Sequence, residues 1–215
     1  PSEEATLFEL YWIFKILDAY DPVEYKLISE GVDNTSVVAE WSEGDQRYIL
    51  YHDSVGDAVQ FRESLGSIEA GSGFAHRLGI VQENWQSLRS DLFGLEGTPT
   101  LWGGRPDILI ERYGPDDELE RLFIGEVKYT RDTGYASRGL RELLEYMAFV
   151  QDDEPETEMG TGGDYIEAEV FDGSKIAGGL FVDTLETIEL PDESAGPVSA
   201  RVFQFGKEQE LDRML

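Results

Sequence analysis

The sequence of 215 residues contains no cysteine and only two histidines, His52 and His76. Without cysteine the chain has no disulfide framework, and two histidines so far apart give no pattern for a zinc site. Charges interrupt the apolar runs well before the length that crosses a bilayer, and the start lacks a basic-then-apolar targeting signal. These absences favour a cytoplasmic protein that has no membrane partner.

Apolar residues are nevertheless plentiful enough for a core. Hydrophobic residues make up 40% and aromatic residues 12% of the chain. A chain of this length fits one domain, or one domain with a large insertion. We therefore expect residues 1–215 to form a single domain. Because the chain opens at Pro1 and not at Met, we also expect it to be a fragment of a longer protein.

Positive charge is scarce. The chain has 17 Lys and Arg against 45 Asp and Glu, a net charge of −28. Nucleic-acid binding usually depends on basic residues, so this total would argue against DNA as a partner. However, the acid is spread over the whole chain and lysine is rare, which resembles proteins of salt-loving archaea. High internal salt screens such charge. The net charge therefore indicates the salt concentration of the organism's habitat more than it indicates the kind of binding partner.

One segment has much less excess acid than the rest. Residues 105–141 carry seven basic and eight acidic side chains, a local net charge of −1, whereas the remaining 178 residues carry −27. Ordinary ion pairs would explain this balance. A surface that must meet an anion explains it slightly better, because the same segment holds the motif described below.

Hydrophobic periodicity predicts a chain of alternating helices and strands. We expect helices at residues 5–20, 78–93 and 137–151. We expect hairpins within 36–52 and between 105–113 and 120–130, further strands at 175–182 and 201–205, a Gly/Ser-rich stretch at 66–73, and an acidic, Gly-rich solvated loop at 152–174.

The second hairpin carries the clearest chemical pattern. Pro106-Asp107 is followed, after eighteen residues, by Glu126-Val127-Lys128. Residues i and i+2 of a strand share a face, so Glu126 and Lys128 should project together and Val127 should point the other way. Strand pairing should bring Asp107 alongside, so that two carboxylates and one ammonium group converge.

Such a cluster suits a hard divalent cation. Asp107, Glu126 and the Val127 carbonyl are the expected ligands of Mg²⁺, which retains water, and Mn²⁺ is an expected substitute. The metal would offset phosphate charge and acidify a bound water. Lys128 would position or deprotonate that water and stabilise charge on the phosphoryl oxygens. The expected reaction is phosphodiester hydrolysis.

This pattern of Pro-Asp, then Glu-x-Lys on a hairpin, then a helix, resembles the P-D-(D/E)-x-K nuclease superfamily of restriction and repair endonucleases. The resemblance covers roughly residues 5–150. It implies an α/β, restriction-endonuclease-like fold with a central mixed β-sheet flanked by α-helices, and a Mg²⁺-dependent deoxyribonuclease of restriction, defence or DNA repair. Residues 8–12, 48–51 and 102–107 resemble the McrC-type branch of modification-dependent restriction. That branch implies a nucleotide-driven ATPase or GTPase partner.

Many nucleases of this superfamily place a glutamate from the first helix at the metal, and Glu9 fits that position. On a helical wheel Glu9 lies among Trp12, Ile13 and Ile16, where a carboxylate needs a partner or a metal. A distant arginine as partner, or simple exposure, explains Glu9 equally well. Glu83, in the second predicted helix, competes for the same role.

Arginines of the acid-poor segment are candidate contacts for DNA phosphates: Arg105, Arg131, Arg138 and Arg141. An equally strong alternative concerns the last two. Arg138 with Glu142 and Arg141 with Glu145 have the i,i+4 spacing of ion pairs that stabilise a helix.

Two other functions remain open. The chain could be a nuclease fold without turnover that binds DNA or assembles a complex, although its intact Asp107, Glu126 and Lys128 argue against this. It could also be an acidic interaction domain with a coincidental motif, in which Asp107, Glu126 and Lys128 would not converge. The alternative for the motif itself is a hairpin whose charges merely form cross-strand pairs, such as Lys128 with Asp107. Substrate structure, base or modification preference, endo or exo action, and formation of a homo-oligomer are not determined by the sequence.

Overall fold

The computed structural model describes residues 2–20, 25–27, 37–63, 102–153, 164–185, 200–206 and 211. These ranges contain two helices, α1 (Glu3–Tyr20) and α2 (Thr133–Phe149). The strands are β1 (Tyr25–Leu27), β2 (Val37–Glu43), β3 (Gln46–His52), β4 (Val59–Gln60), β5 (Arg62–Glu63), β6 (Trp102–Gly103), β7 (Ile108–Tyr113), β8 (Leu119–Lys128), β9 (Gln151–Asp152), β10 (Ile176–Val182) and β11 (Ala200–Gln204).

Seven strands form one sheet in the order β1-β2-β3-β7-β8-β10-β11. Neighbours are antiparallel from β1 to β8, whereas β8, β10 and β11 run parallel. The sheet is therefore mixed, and α2 lies in the connection between the parallel strands β8 and β10. The expected α/β class, with a mixed sheet and helices, is confirmed.

The two helices cover opposite faces of the sheet because successive strand residues alternate between faces. On β8, Phe123 and Val127 belong to the apolar cluster beneath α1, together with Trp12. Leu122 and Ile124 belong to the other cluster, together with Leu143 of α2. Each fully buried large apolar side chain contributes about 1.5–3 kcal/mol to stability. Packing on both faces thus holds β8, which carries the Glu-x-Lys motif, in a central position.

The predicted hairpins and the C-terminal strands are confirmed. Residues 37–52 form β2 and β3, joined by a turn at Gly44, whose φ of 61° suits glycine. Within residues 105–130, β7 begins three residues later than predicted and β8 ends two residues earlier, and the two strands pair antiparallel. Strands β10 and β11 fall at the two predicted C-terminal positions.

The helix predicted at residues 5–20 is α1, which begins two residues earlier, at Glu3, and leaves Leu7 and Phe14 exposed. Helix α2 begins at Thr133 and not at 137, because the Asp132 side chain caps it by accepting a hydrogen bond from the Tyr135 N–H. It ends at Phe149, since Val150 takes an extended conformation and the next residue enters β9.

The interpretation of residues 152–174 as a solvated loop is wrong at residue 152 and at residues 165–167, whereas residues 168–174 are mostly exposed, as a solvated loop predicts. Asp152 belongs to β9, and Tyr165 forms a bridge with Gln151. Ile166 and Glu167 are buried, and Glu167 accepts hydrogen bonds from the backbone N–H groups of residues 175 and 176, each at 2.8 Å. A buried acceptor thus ties this segment to the start of β10.

Some sequence predictions lie outside the described residues. These are the Gly/Ser-rich stretch 66–73, the helix at 78–93 with its candidate Glu83, and residues 154–163 of the acidic loop. Within the described part of the chain, neither helix is long and apolar enough to cross a membrane.

Candidate active site at one edge of the sheet

The predicted site residues meet where β7 begins and β8 ends. Ile108 pairs with Gly125, so continuing the antiparallel register by one residue sets Asp107 opposite Glu126. The Asp107 carboxylate accepts a hydrogen bond of 2.7 Å from the Val127 N–H. The two acids are therefore cross-strand neighbours, and Asp107 is anchored to the backbone of β8.

Glu126 and Lys128 project to the same side, toward α2. The Lys128 ammonium group donates to Glu126 Oε1 and to Glu142 Oε2 of α2, the latter at 2.8 Å. Glu126 is only 3% exposed, and the Lys128 side chain is 14% exposed. Asp107, Glu126 and Lys128 thus converge in one partly enclosed cluster, as the strand pattern predicts.

A glycine of α2 makes this arrangement possible. A Cβ atom on Gly139 would lie 2.6 Å from Lys128 Cγ and 3.1 Å from Leu180 Cδ1. These separations are shorter than carbon–carbon packing allows, which is about 3.5–4.0 Å. Gly139 therefore lets the lysine stem pass directly beneath the helix on its way to Glu126 and Glu142.

The cluster shifts the proton affinities of its members in opposite ways. Burial raises the pKa of Glu126, and the neighbouring Asp107 carboxylate raises it further. Burial likewise raises the pKa of Asp107, against the effect of the Val127 hydrogen bond. Two carboxylates confined together in a poorly solvated place resist ionising at the same time.

Lys128 behaves differently. Burial alone would lower the pKa of its ammonium group, but the Glu126 and Glu142 carboxylates outweigh burial and raise the pKa. Lys128 is therefore a persistent cation in this structure. Of the two roles open to it, a persistent cation suits the stabilisation of negative charge better than the removal of a proton.

Glu9 approaches from the α1 side. Its carboxylate lies 2.9 Å from Nε2 of His52, which ends β3, so its partner is a histidine and not an arginine. His52 pairs with Ile108, the residue after Asp107. The negative charge of Glu9 also adds to the rise of the Asp107 pKa that burial causes. Glu9 thus lies near the cluster, although its direct contact is His52.

The four candidate arginines all have partners. Arg105 pairs with Asp53 at 2.6 Å, and Arg131 pairs with Asp183 at 2.8 Å. Arg141 forms the predicted i,i+4 pair with Glu145 at 2.8 Å.

Arg138 does not form its candidate i,i+4 ion pair. Its guanidinium lies 5.1 Å from the centre of the Tyr135 ring, and Glu142 binds Lys128. Against the effect of burial, Lys128 and then Arg138 lower the pKa of Glu142. The side chains of Arg105, Arg131 and Arg141 are more than half exposed. The pairs of Arg105 and Arg141 are weak surface contacts that a phosphate can replace, whereas Arg131 is held by the buried Asp183.

The donor set fits a hard cation. Glu126 Oε2 is buried and has no hydrogen-bond partner, which is costly for a carboxylate oxygen unless something binds it. Among the described residues, no group of three or more Asp, Glu or His side chains is assembled as a metal site. Mg²⁺ needs only one or two carboxylates, because it keeps several waters. Asp107, Glu126 and the Val127 carbonyl would therefore hold it.

Sequence reasoning missed two residues of α2 that border the cluster. Glu142 binds Lys128, and Tyr146 lies close enough that, after burial, the charges of Glu126 and Glu142 help raise its pKa to about 12. The Tyr146 ring also fills the space beside Gly104, where a Cβ atom would lie 2.2 Å from Cε1. Their i,i+4 spacing on the face that carries Gly139 is the signal that would have found them.

The chain was compared with known proteins at three levels. No protein-family model, no curated protein and no solved structure matches it. Its function is therefore inferred from its own side chains.

Proposed function

We propose that this protein is a Mg²⁺-dependent DNA nuclease with a restriction-endonuclease-like fold. One observation carries the proposal: Asp107, Glu126 and Lys128 converge at the end of the β7–β8 hairpin, and Glu126 Oε2 is a buried oxygen without a hydrogen-bond partner. The mixed sheet between two helices supports the fold assignment.

Each residue of the cluster has a role that its environment supports. Asp107 and Glu126 hold the cation, which supplies a more acidic water and neutralises phosphate charge when bound. Lys128 stabilises the charge that develops on the phosphoryl oxygens, a role that its raised pKa supports. Glu9 assists from the α1 side through His52 and its charge near Asp107.

The DNA backbone is met by exposed arginines at the same edge. Arg105 immediately precedes Pro106-Asp107, and Arg131 follows β8 by three residues. Arg105 would exchange the exposed Asp53 carboxylate for a phosphate oxygen, and Arg131 would use the donors that the buried Asp183 leaves exposed. Arg138 and Arg141 of α2 extend this surface. Because the protein has a net charge of −28, it repels DNA unless high salt screens the repulsion. The proposal also includes a cytoplasmic location and an ATPase or GTPase partner.

A second function has one observation in its favour. Lys128 already binds one oxygen of Glu126, so the cation and the lysine compete for the same carboxylate. A nuclease fold that binds DNA or assembles a complex without cleavage would tolerate this competition. Such a module predicts that DNA is bound but not cut in either Mg²⁺ or Mn²⁺.

The test replaces Lys128 with alanine. Cleavage of duplex, single-stranded and branched DNA is measured in Mg²⁺ or Mn²⁺ with high KCl, and Mn²⁺ binding is followed by calorimetry. Lys128→Ala should retain metal binding and lose about 10²-fold or more in cleavage rate. Chelation of the metal should abolish cleavage by the unmodified protein.

Lys175→Ala is the matched control. Lys175 is an exposed lysine that immediately precedes β10, at the end of the parallel strands opposite to Lys128. It should leave cleavage unchanged. Wild-type cleavage by the Lys128→Ala variant would refute the role assigned to Lys128, and the absence of any metal-dependent cleavage by the unmodified protein would refute the nuclease.

A further inference from the structure

Exposed aromatic rings are concentrated at the edge that carries the candidate active site. Among the described residues the exposed aromatic side chains are Phe14, Tyr129, Tyr135, Tyr165 and Phe205. Three of these belong to this edge and are each close to half exposed: Tyr129 at 48%, Tyr135 at 41% and Phe205 at 46%. Large apolar rings left in solvent beside a reactive cluster indicate a surface that something contacts.

The three rings lie around the end of the strands that carries Lys128. Tyr129 and Phe205 lie on the α1 side, and Tyr135 lies on the α2 side, toward which the lysine projects. Tyr129 is the next residue along the chain, and the Tyr135 ring centre is 5.9 Å from Lys128 Nζ. Phe205 follows β11, whose last residue, Gln204, lies two strands from Lys128 in register with Val182. The parallel strands therefore end together, which places Tyr129 and Phe205 at the same end of the sheet as Lys128.

Two of the rings are held by packing from α1. The Tyr129 ring lies 5.1 Å from that of Phe8, and the Phe205 ring lies 5.0 Å from that of Tyr11. Contact with a neighbouring ring restricts rotation of the exposed one before any ligand arrives. A surface fixed in this way loses little conformational entropy on binding.

Positively charged side chains alternate with two of the three rings, Tyr129 and Tyr135, along the chain. Lys128 precedes Tyr129, Arg131 lies between Tyr129 and Tyr135, and Arg138 lies over the Tyr135 ring. Alternating positive charges and flat apolar rings complement a polymer that alternates phosphates and flat bases. Proteins that bind single-stranded nucleic acid combine these two kinds of contact.

The base-paired duplex does not offer its bases to such rings, since they are already stacked on one another. A base must be unpaired, or be taken out of the stack, before it can lie against a side chain. Stacking also involves no counterion release, so it persists at salt concentrations that weaken phosphate contacts. For a chain with so few basic residues, ring contacts are the salt-resistant way to hold DNA.

We propose that Tyr129, Tyr135 and Phe205 form a stacking surface for unpaired bases, so that the preferred substrate is single-stranded DNA or duplex DNA with an unpaired segment. The proposal rests on the proposed nuclease function, which identifies this edge as the place where DNA lies. It goes beyond that function by naming the form of DNA and the side chains that select it.

The test measures binding separately from cleavage. Fluorescence anisotropy compares labelled oligo-dT with a duplex of equal length, in high KCl and with Ca²⁺ in place of Mg²⁺. The Tyr129→Ala/Phe205→Ala variant removes two rings that make no contact with the acidic cluster. The Tyr129→Phe/Phe205→Tyr variant keeps both rings, and Phe14→Ala removes an exposed ring from the middle of α1, away from this edge.

Wild type should bind the single strand more tightly than the duplex. The double alanine variant should lose roughly tenfold or more in affinity for the single strand, whereas the ring-preserving variant and Phe14→Ala should not. Equal or tighter binding of duplex by wild type, or unchanged single-strand binding by the double alanine variant, overturns the proposal.

A second measurement uses the unmodified protein and so does not depend on the folding of variants. Oligonucleotides that contain 5-iododeoxyuridine are cross-linked by light, and the attached peptide is identified by mass spectrometry. Attachment at Tyr129, Tyr135 or Phe205 supports the stacking surface. Attachment elsewhere, or none, overturns it and is the result expected if the rings dock another protein. Absence of cleavage in Mg²⁺ would refute the nuclease while leaving these binding results decisive for the stacking surface.

Discussion

Replacing Gly139 with alanine tests how closely α2 must approach Lys128. The added Cβ atom would lie 2.6 Å from Lys128 Cγ and 3.0 Å from Cε. Because carbon atoms pack at about 3.5–4.0 Å, the lysine stem must retreat by about 1 Å. Displacing a reacting group by about 1 Å costs about 10²-fold in rate. We therefore expect Gly139→Ala to lower the DNA cleavage rate by about that factor.

The effect on stability should be much smaller. Alanine is favoured over glycine in a helix interior by about 1 kcal/mol, whereas overpacking costs about 1–3 kcal/mol. The free energy of unfolding should therefore fall by only about 0–2 kcal/mol. Urea denaturation in high KCl measures this quantity, and single-turnover cleavage in Mg²⁺ measures the rate.

Gly134→Ala is the control within the same helix. Gly134 lies in the exposed first turn, where a Cβ atom meets only the Asp132 side chain, at 3.2 Å. It should leave both the cleavage rate and the unfolding free energy nearly unchanged. A Gly139→Ala variant that is fully active, or that gains the whole helix-propensity increment of about 1 kcal/mol, would refute the claim that the helix constrains Lys128.

Two further predictions concern stability. Gly56 has a φ of 73°, and a Cβ atom added there would lie 2.5 Å from Oε1 of the fully buried Glu111. Gly56→Ala should therefore lower the unfolding free energy by about 2–4 kcal/mol. Gly44→Ala is the control, because its φ is 61° but the space around it is open, and it should cost about 1 kcal/mol; equal losses in urea denaturation would contradict the prediction. Because burial raises the pKa of Asp107 and Glu126, the metal-free native state binds more protons than the unfolded state above about pH 4, so the unfolding free energy should fall as the pH rises from there to the native pKa values. In denaturation measured over a range of pH, the Asp107→Asn/Glu126→Gln variant should not show this fall. At the high end of the range Mg²⁺ should stabilise the wild type but not the variant. An identical pH dependence of the two proteins would count against the raised pKa values.

The hairpin and its cluster were predictable because they depend on local rules. The period of two along a strand places Glu126 and Lys128 together, and the turn at Gly114 returns the chain so that β8 pairs with β7. Once the two strands pair in the observed register, Asp107 lies beside Glu126. The sequence spacing therefore carries most of the geometry of the site.

The contacts made from the helices were not predictable in the same way. Whether Glu142 reaches Lys128 depends on how α2 is rotated about its axis, and that rotation is set by Gly139 and by packing on the sheet. The partner of Glu9, His52, lies 43 residues away in the sequence, and no local pattern links the two. Such contacts arise from the folded arrangement of distant segments.

The hairpin that builds the site also keeps its own turn far from it. The turn near Gly114 joins β7 and β8 at the end opposite Lys128, and β8 has ten residues at about 3.3 Å each, so roughly 30 Å separates them. A fluorophore, affinity tag or surface tether attached at this turn would not obstruct the candidate active site at the other end of β8. The turn thus offers a site for immobilisation and for distance measurements in tests of the proposed function.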